Sequence, residues 1–199
     1  MNLACLLWLL LLVSGVVMAI LGARMRALAD VPGMTPKPTQ LRLEFAGTPG
    51  RARKLMTLWG EIGRISLRRQ LRLDFFFILA YACAGAASAL LAGQVFATYS
   101  PYLGEVSRVV AWSWGLAAVL DLGENAALLL VLSPRAGLQP LGTLFATVKW
   151  VLVFWALAYV VLAIPFGLWH VAVRIAQPVC RLAPGPCALV VHLWNALIS

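Results

Sequence analysis

Five polar side chains lie in or at the edges of long apolar segments, and their types could support acid–base chemistry. They are Asp74, Asp121, Glu124, Asn125 and Lys149. A charged side chain at the centre of a bilayer costs about 2.5–3.5 kcal/mol on insertion scales, so such residues mark a functional site or a polar contact between helices. Two carboxyl groups could act as general acid and base, and a lysine could hold an anionic group beside them.

The spacing of these residues places them on shared helix faces. Asp121, Glu124 and Asn125 follow the i, i+3, i+4 pattern of one face. Asp74 and Tyr81 lie two helical turns apart and also share a face. We expect Lys149 to form an ion pair with Glu124 or Asp74, because these residues lie at similar depths. Asp121 is then left as a candidate neutral acid.

Composition defines the class of protein that must position these groups. The 199 residues are 62% hydrophobic and 12% charged, and the mean hydropathy is +0.90. A transmembrane helix needs about 20 apolar residues, and runs of this kind cover residues 3–21, 75–98, 106–132 and 144–166. We therefore predict an all-α fold: an integral membrane four-helix bundle with a basic interfacial helix and amphipathic C-terminal helices.

Four regions follow from this pattern. Residues 1–26 form an N-terminal transmembrane helix, and residues 27–73 form a cytoplasmic basic loop and interfacial helix. Residues 74–166 form a three-helix transmembrane core, and residues 167–199 form an external amphipathic tail. The alternative for the first apolar run is a signal peptide, but no positive charge precedes it and no convincing cleavage site follows it.

Positive charge is concentrated in one part of the chain. Of the 16 Lys and Arg residues, 11 fall between Arg24 and Arg72. Cytoplasmic loops carry such an excess, so we predict a multi-pass membrane protein with both termini outside. The high usage of Leu, Ala, Val, Arg and Trp suggests a bacterium, and hence its inner membrane. The basic stretch lies beside an anionic leaflet, which favours membrane lipids over nucleic acid as its partner. The predicted membrane-surface residues are Arg51, Arg53, Lys54, Arg64, Arg68, Arg69 and Arg72.

Local signals predict where elements begin and bend. Thr48 and Pro49 are typical of a helix start. Gly60 and Gly63 favour a bend in the helix that follows. Residues 41–45 alternate apolar and polar side chains, which predicts a short extended segment.

Small residues predict a close contact between helices. Gly85, Ala89 and Gly93 recur every four residues in the second apolar run, and this spacing lets two helices approach closely. In the tail, Cys180 and Cys187 flank a Pro-Gly-Pro turn and are candidates for a disulfide, with two unpaired thiols as the equal alternative. No metal-ligand pattern and no cofactor motif is found, so we predict neither.

The motif residues also support a resemblance. An Asp-x-x-Phe-x-x-x-Tyr helix begins at Asp74, an Asp-x-x-Glu-Asn helix begins at Asp121, and a later helix carries Lys149. These patterns resemble a group of small bacterial multi-pass membrane proteins, over residues 44–162. No activity is established for that group. A fainter analogy with four-helix membrane isomerases of the emopamil-binding type rests on helix number and buried acids alone.

Two functions are compatible with this sequence. The first is a non-enzymatic membrane protein that binds lipids, a membrane protein partner or a second copy of itself, with the polar cluster fixing the helices. The second is an enzyme or proton-coupled binder for an apolar, lipid-like ligand, in which Asp121 and Glu124 act as acid and base. The choice depends on whether a cavity lies beside the cluster.

Overall fold

The computed structural model describes residues 2–132 and 139–182, with side chains described from 140 to 172 in the second range. Within these residues the protein is all-helical and contains no strand. The helices are α1 (Leu3–Ala29), α2 (Gln40–Glu44), α3 (Pro49–Phe96), α4 (Pro101–Val131) and α5 (Gln139–Leu182). The backbone of α5 continues as one helix past the predicted end of the fourth apolar run. The predicted final helix of the tail lies outside the described residues.

Four of these helices are long and apolar enough to cross a membrane. Their candidate spans are Leu3–Ala29, Pro49–Phe96, Pro101–Val131 and Pro140–Ala172. Many large apolar side chains on them are exposed, including Trp8 and Leu12 on α1 and Phe154 on α5. An apolar surface this extensive is rare on soluble monomers, so the helices suggest a membrane protein.

The predicted extended segment at residues 41–45 is wrong, because these residues form α2. In a strand, Leu41, Leu43 and Phe45 would share one side. In the helix only Leu43 is fully buried, while Leu41 and Phe45 stay exposed. Leu43 joins a core cluster with Trp59 and other apolar residues, and this tertiary contact decides the conformation of a segment too short to choose it alone.

The predicted bend in the basic segment is confirmed at Gly60. Its backbone has φ 58° and ψ −159°, a conformation that L side chains rarely adopt. Just before the bend, Trp59 is buried and its indole N–H donates to the carbonyl of Pro36 at 2.8 Å. After Gly60 the helix continues through Asp74 without a break. The part of the basic segment that follows Gly60 and the second apolar run therefore form one continuous helix, and the change of direction lies at Gly60.

Helix α3 is the centre of the helix packing. It contacts α1, α4 and α5, and α4 also contacts α5. The backbones of α1 and α5 do not come into contact in the described part of the chain. A space therefore remains between α1 and α5, above one face of α3.

The predicted close approach at the small residues of α3 is confirmed. Ala89 is fully buried. A Cβ on Gly85 would overlap the ring of Trp114, and a Cβ on Gly93 would overlap the side chain of Ser107. Both neighbours belong to α4, so these glycines set the distance between α3 and α4.

We expect Gly85→Ala to lower the free energy of unfolding by about 1–3 kcal/mol, because the added methyl group forces Trp114 to move. Gly115→Ala is the matched control, since a Cβ on Gly115 meets no atom within 4 Å. Thermal unfolding of both variants in detergent measures the difference. Equal stability of the two variants would contradict the close approach of α3 and α4.

Candidate functional site

Lys149 lies at the centre of a buried ion-pair network. Its Nζ atom donates to Asp121 Oδ1 at 2.8 Å and lies 2.6 Å from Glu124 Oε2. The same atom lies 5.6 Å from the ring centroid of Trp150, within cation–π range. The predicted ion pair with Glu124 is present. The expectation that Asp121 stays unpaired is wrong, because Asp121 bonds to Lys149 and also accepts the Tyr81 hydroxyl at 2.9 Å.

Asp74 belongs to a second, adjoining network. Its Oδ2 atom accepts from Asn125 Nδ2 at 2.7 Å and from Gln40 Nε2 at 2.9 Å. Gln40 Nε2 also donates to Asn125 Oδ1 at 2.8 Å. These three side chains link α2, α3 and α4. Asp74 therefore accepts hydrogen bonds from neutral amides and does not form the alternative predicted ion pair with Lys149.

Glu44 adds a further carboxyl group beside Glu124. Glu44 is 3% exposed and Glu124 is 0% exposed, and their side chains interact. Glu44 Oε2 and Glu124 Oε1 have no hydrogen-bond donor among the described residues. A proton carried by one of the two carboxyl groups would supply the missing donor.

Three residues of this site were not predicted from the sequence: Gln40, Glu44 and Gln70. Gln40 and Glu44 lie four apart, which is one face of a helix, but the extended interpretation of residues 41–45 hid that relation. Gln70 lies one turn before Asp74 on α3, and this i, i+4 spacing was the signal available for it.

A cavity of about 850 Å³ lies beside these networks, between α1 and α5. We call it the cleft. Its polar end is lined by Gln40, Glu44, Gln70, Asp74, Asp121 and Lys149, with Arg26 and Tyr81 beside them. Its apolar walls include Met18, Gly22, Phe77, Trp114, Leu157 and Val160. The volume lies within the range of about 300–1,000 Å³ found for ligand pockets.

The structure divides the predicted site residues into two groups. Asp74, Tyr81, Asp121 and Lys149 line the cleft. Glu124 and Asn125 do not line it, and both are completely buried. Four side chains of the cluster therefore line the cleft, and Glu124 and Asn125 pack behind them.

The aromatic side chains leave the cleft open. Trp112 is 80% exposed and Phe154 is 63% exposed, so both point away from the helix interfaces. Trp114 and Trp150 form part of the cleft wall. The four aromatic rings therefore do not fill the space beside Asp121.

The predicted basic residues lie along α3, away from the cleft. Arg68 donates to the carbonyl of Leu132 at 3.2 Å, and Arg64 donates to the carbonyl of Gly60 at 3.1 Å. The exposed members are Arg51, Arg53, Lys54, Arg68, Arg69 and Arg72. The predicted Cys180–Cys187 disulfide falls outside the side chains that the structure describes. Cys5 and Cys83 are free and exposed.

No family model, no curated protein and no solved structure matches this chain. The function must therefore be argued from the geometry of the cleft and its polar networks.

We expect Lys149→Met to lower the free energy of unfolding by about 3–5 kcal/mol, because it leaves Asp121 and Glu124 buried without their cation. Adding Asp121→Asn and Glu124→Gln should recover part of that loss. Lys37→Met is the control, since Lys37 forms an exposed ion pair with Asp30 at 2.6 Å and such pairs contribute about 0–1 kcal/mol. Denaturant unfolding in detergent compares the variants, and equal losses for Lys149→Met and Lys37→Met would contradict the network.

Proposed function

We propose that this protein is a membrane protein that binds one amphipathic, lipid-like molecule in the cleft. The observation that carries the proposal is the combination of an open cavity, apolar walls and a polar end within one space. Pockets for small molecules have this composition, with mostly apolar walls and a few fixed polar groups that orient the ligand.

The position of the cleft suits a ligand that arrives from the bilayer. Within the residues that the structure describes, α1 contacts α3 but its backbone does not contact that of α5. The cleft therefore has one side that lies between α1 and α5. In a membrane that side would face the acyl chains. Residues lining the cleft on α3 extend from Gln70 to Ser88, about 27 Å of helix. An acyl chain could therefore lie along α3 without passing through water.

The polar end of the cleft would hold the head of the ligand. Asp74, Asp121, Tyr81 and Lys149 are fixed by hydrogen bonds to one another or to Gln40 and Asn125. A site whose side chains are held in advance loses little conformational entropy when a ligand binds. The networks thus contribute both to helix packing and to ligand orientation.

The basic residues of α3 give the proposed orientation. Cytoplasmic segments are enriched in Lys and Arg, so we place the segment around Gly60 at the inner surface of a bacterial inner membrane. The polar end of the cleft then lies on the cytoplasmic side, near the head groups of the inner leaflet. The anionic lipids of that leaflet would contact the exposed arginines.

Catalysis through Asp121 and Glu124 is the weaker alternative. A catalytic acid or base must come within hydrogen-bond reach of its substrate, and Glu124 does not line the cleft. Asp121 lines it, but both of its oxygens already accept hydrogen bonds. We therefore assign these two residues to the support of the binding site.

A tryptophan placed in the cleft tests the proposal. Ala19 lines the cleft from α1, whereas its neighbour Ile20 does not line it and is 52% exposed. We expect native mass spectrometry of wild-type protein from mild detergent to show a bound amphiphile of defined mass. Ala19→Trp should reduce its occupancy at least about tenfold, because the indole fills the space, and Ile20→Trp should leave it unchanged.

A second substitution tests the opposite wall. Leu157 lines the cleft from α5, so Leu157→Trp should reduce occupancy as Ala19→Trp does. Leu162→Trp is its control, since Leu162 does not line the cleft and is 61% exposed. If all variants release the same mixture of lipids as the wild type, the cleft is not a specific binding site and the proposal fails.

A further inference from the structure

The amide groups at the polar end of the cleft have no N–H left for a ligand. Gln40 Nε2 uses its two hydrogens on Asp74 Oδ2 and Asn125 Oδ1, at 2.9 and 2.8 Å. Gln70 Nε2 uses its two on the Pro38 carbonyl and on Ser66 Oγ, at 2.8 and 3.1 Å. Because a side-chain amide has two N–H donors, both glutamines retain only their Oε1 atoms for further hydrogen bonds.

The orientation of each amide is fixed by partners that can only accept. The Pro38 carbonyl has no proton to donate, and the Ser66 hydroxyl already donates its proton to the Leu28 carbonyl at 2.5 Å. Gln40 faces the same Asp74 oxygen that accepts from Asn125. Turning either amide over would place an oxygen against these acceptors.

Asp74 adds an acceptor of its own. Both of its hydrogen bonds end on Oδ2, and Oδ1 has no hydrogen-bond donor within the residues that the structure describes. Asp74 is 6% exposed and is one of the residues that line the cleft. Gln70 lies one helical turn before Asp74 on α3, and Gln40 touches Asp74 directly. The three free oxygens therefore belong to neighbouring side chains at one end of the cleft.

Of the two cations that line the cleft, the buried one is already paired. Lys149 is shared between Asp121 and Glu124, and Arg26 is an exposed residue. Three acidic residues line the same space: Glu44, Asp74 and Asp121. A phosphate or carboxylate head beside Asp74 would meet like charges, and the buried ammonium nearby is already compensated by two carboxylates.

We propose that the head group bound at this end is a primary ammonium group on an apolar chain. This inference rests on the proposed function and names the chemical class of its ligand. An ammonium group has three N–H donors and no acceptor, which matches Asp74 Oδ1, Gln40 Oε1 and Gln70 Oε1 in number and in kind. Its charge also compensates Asp74, and hydrogen bonds with one ionised partner are the strong ones.

Three amphiphiles with the same dodecyl chain test the assignment: dodecylamine, dodecanol and dodecyl phosphate. The full chain in detergent is titrated with an equimolar mixture at neutral pH, and native mass spectrometry measures the occupancy of each. We expect dodecylamine to exceed the other two by at least about tenfold, as expected for a hydrogen bond to a charged group. An excess of butylamine, which lacks the long chain, should not displace it.

Asp74→Asn should abolish this preference and bring dodecylamine to within about threefold of dodecanol, because the charge is lost. Asp30→Asn is the control, since Asp30 is exposed and lies outside the cleft. Gln70→Met removes one acceptor without changing charge and should reduce the preference by a few fold. It keeps the test decisive if Asp74→Asn does not fold.

The outcomes separate the ligand class from the proposed function. If dodecanol or dodecyl phosphate binds as well as dodecylamine, and Ala19→Trp removes all three, the cleft binds amphiphiles and the ammonium assignment is overturned. If dodecylamine keeps its preference in both Asp74→Asn and Gln70→Met, the assignment is also overturned. If Ala19→Trp affects no amphiphile, both the assignment and the proposed function fail. Displacement by butylamine would overturn the need for an apolar chain.

Discussion

The buried ammonium of Lys149 is the constraint on which the other contacts around the site depend. It lies between Asp121 and Glu124, so it joins α5 to α4 in a region where neither charge could be buried alone. Asp121 in turn accepts from Tyr81 of α3. Through this one cation the three helices must meet in a single register, because a shift of one residue would turn the paired side chains to different faces.

The position of the cleft is explained by the positions of the strong contacts between helices. Gly85 and Gly93 bring α3 close to α4, and Lys149 holds α5 against α4. Helix α1 packs against α3 and, over the side chains that the structure describes, forms no such polar contact with α5. On one side of α3 the helices therefore pack closely together. On its other side a space remains between α1 and α5. The same residues that stabilise the helices therefore define the polar end of the cavity.

The sequence predicts the features that depend on local pattern, and it fails where distant residues decide. Apolar runs predict the long helices, and the paired glycines predict the bend at Gly60. Similar depth predicts that Lys149 pairs with Glu124 or Asp74, and the pair with Glu124 is present. The conformation of α2 is set by the burial of Leu43 among distant core residues, which no five-residue pattern contains. Gln40 meets Asn125 across 85 residues of sequence, and a neutral polar side chain at the first position of a short helix carries no periodic signal of such a contact.

The excess of acidic groups favours the proposed binding site over a purely structural contact between helices. A buried ion pair adds little net stability, because desolvation offsets most of its attraction, and one carboxylate would suffice to neutralise Lys149. Here Asp121 and Glu124 share that cation, while Asp74 is held by neutral amides and keeps one oxygen without a donor among the described residues. Glutamine amides that face away leave further acceptors beside it. In a cluster that only stabilised the helices, the carboxylate and amide oxygens would be paired with one another. A site for a charged ligand leaves some of these oxygens available.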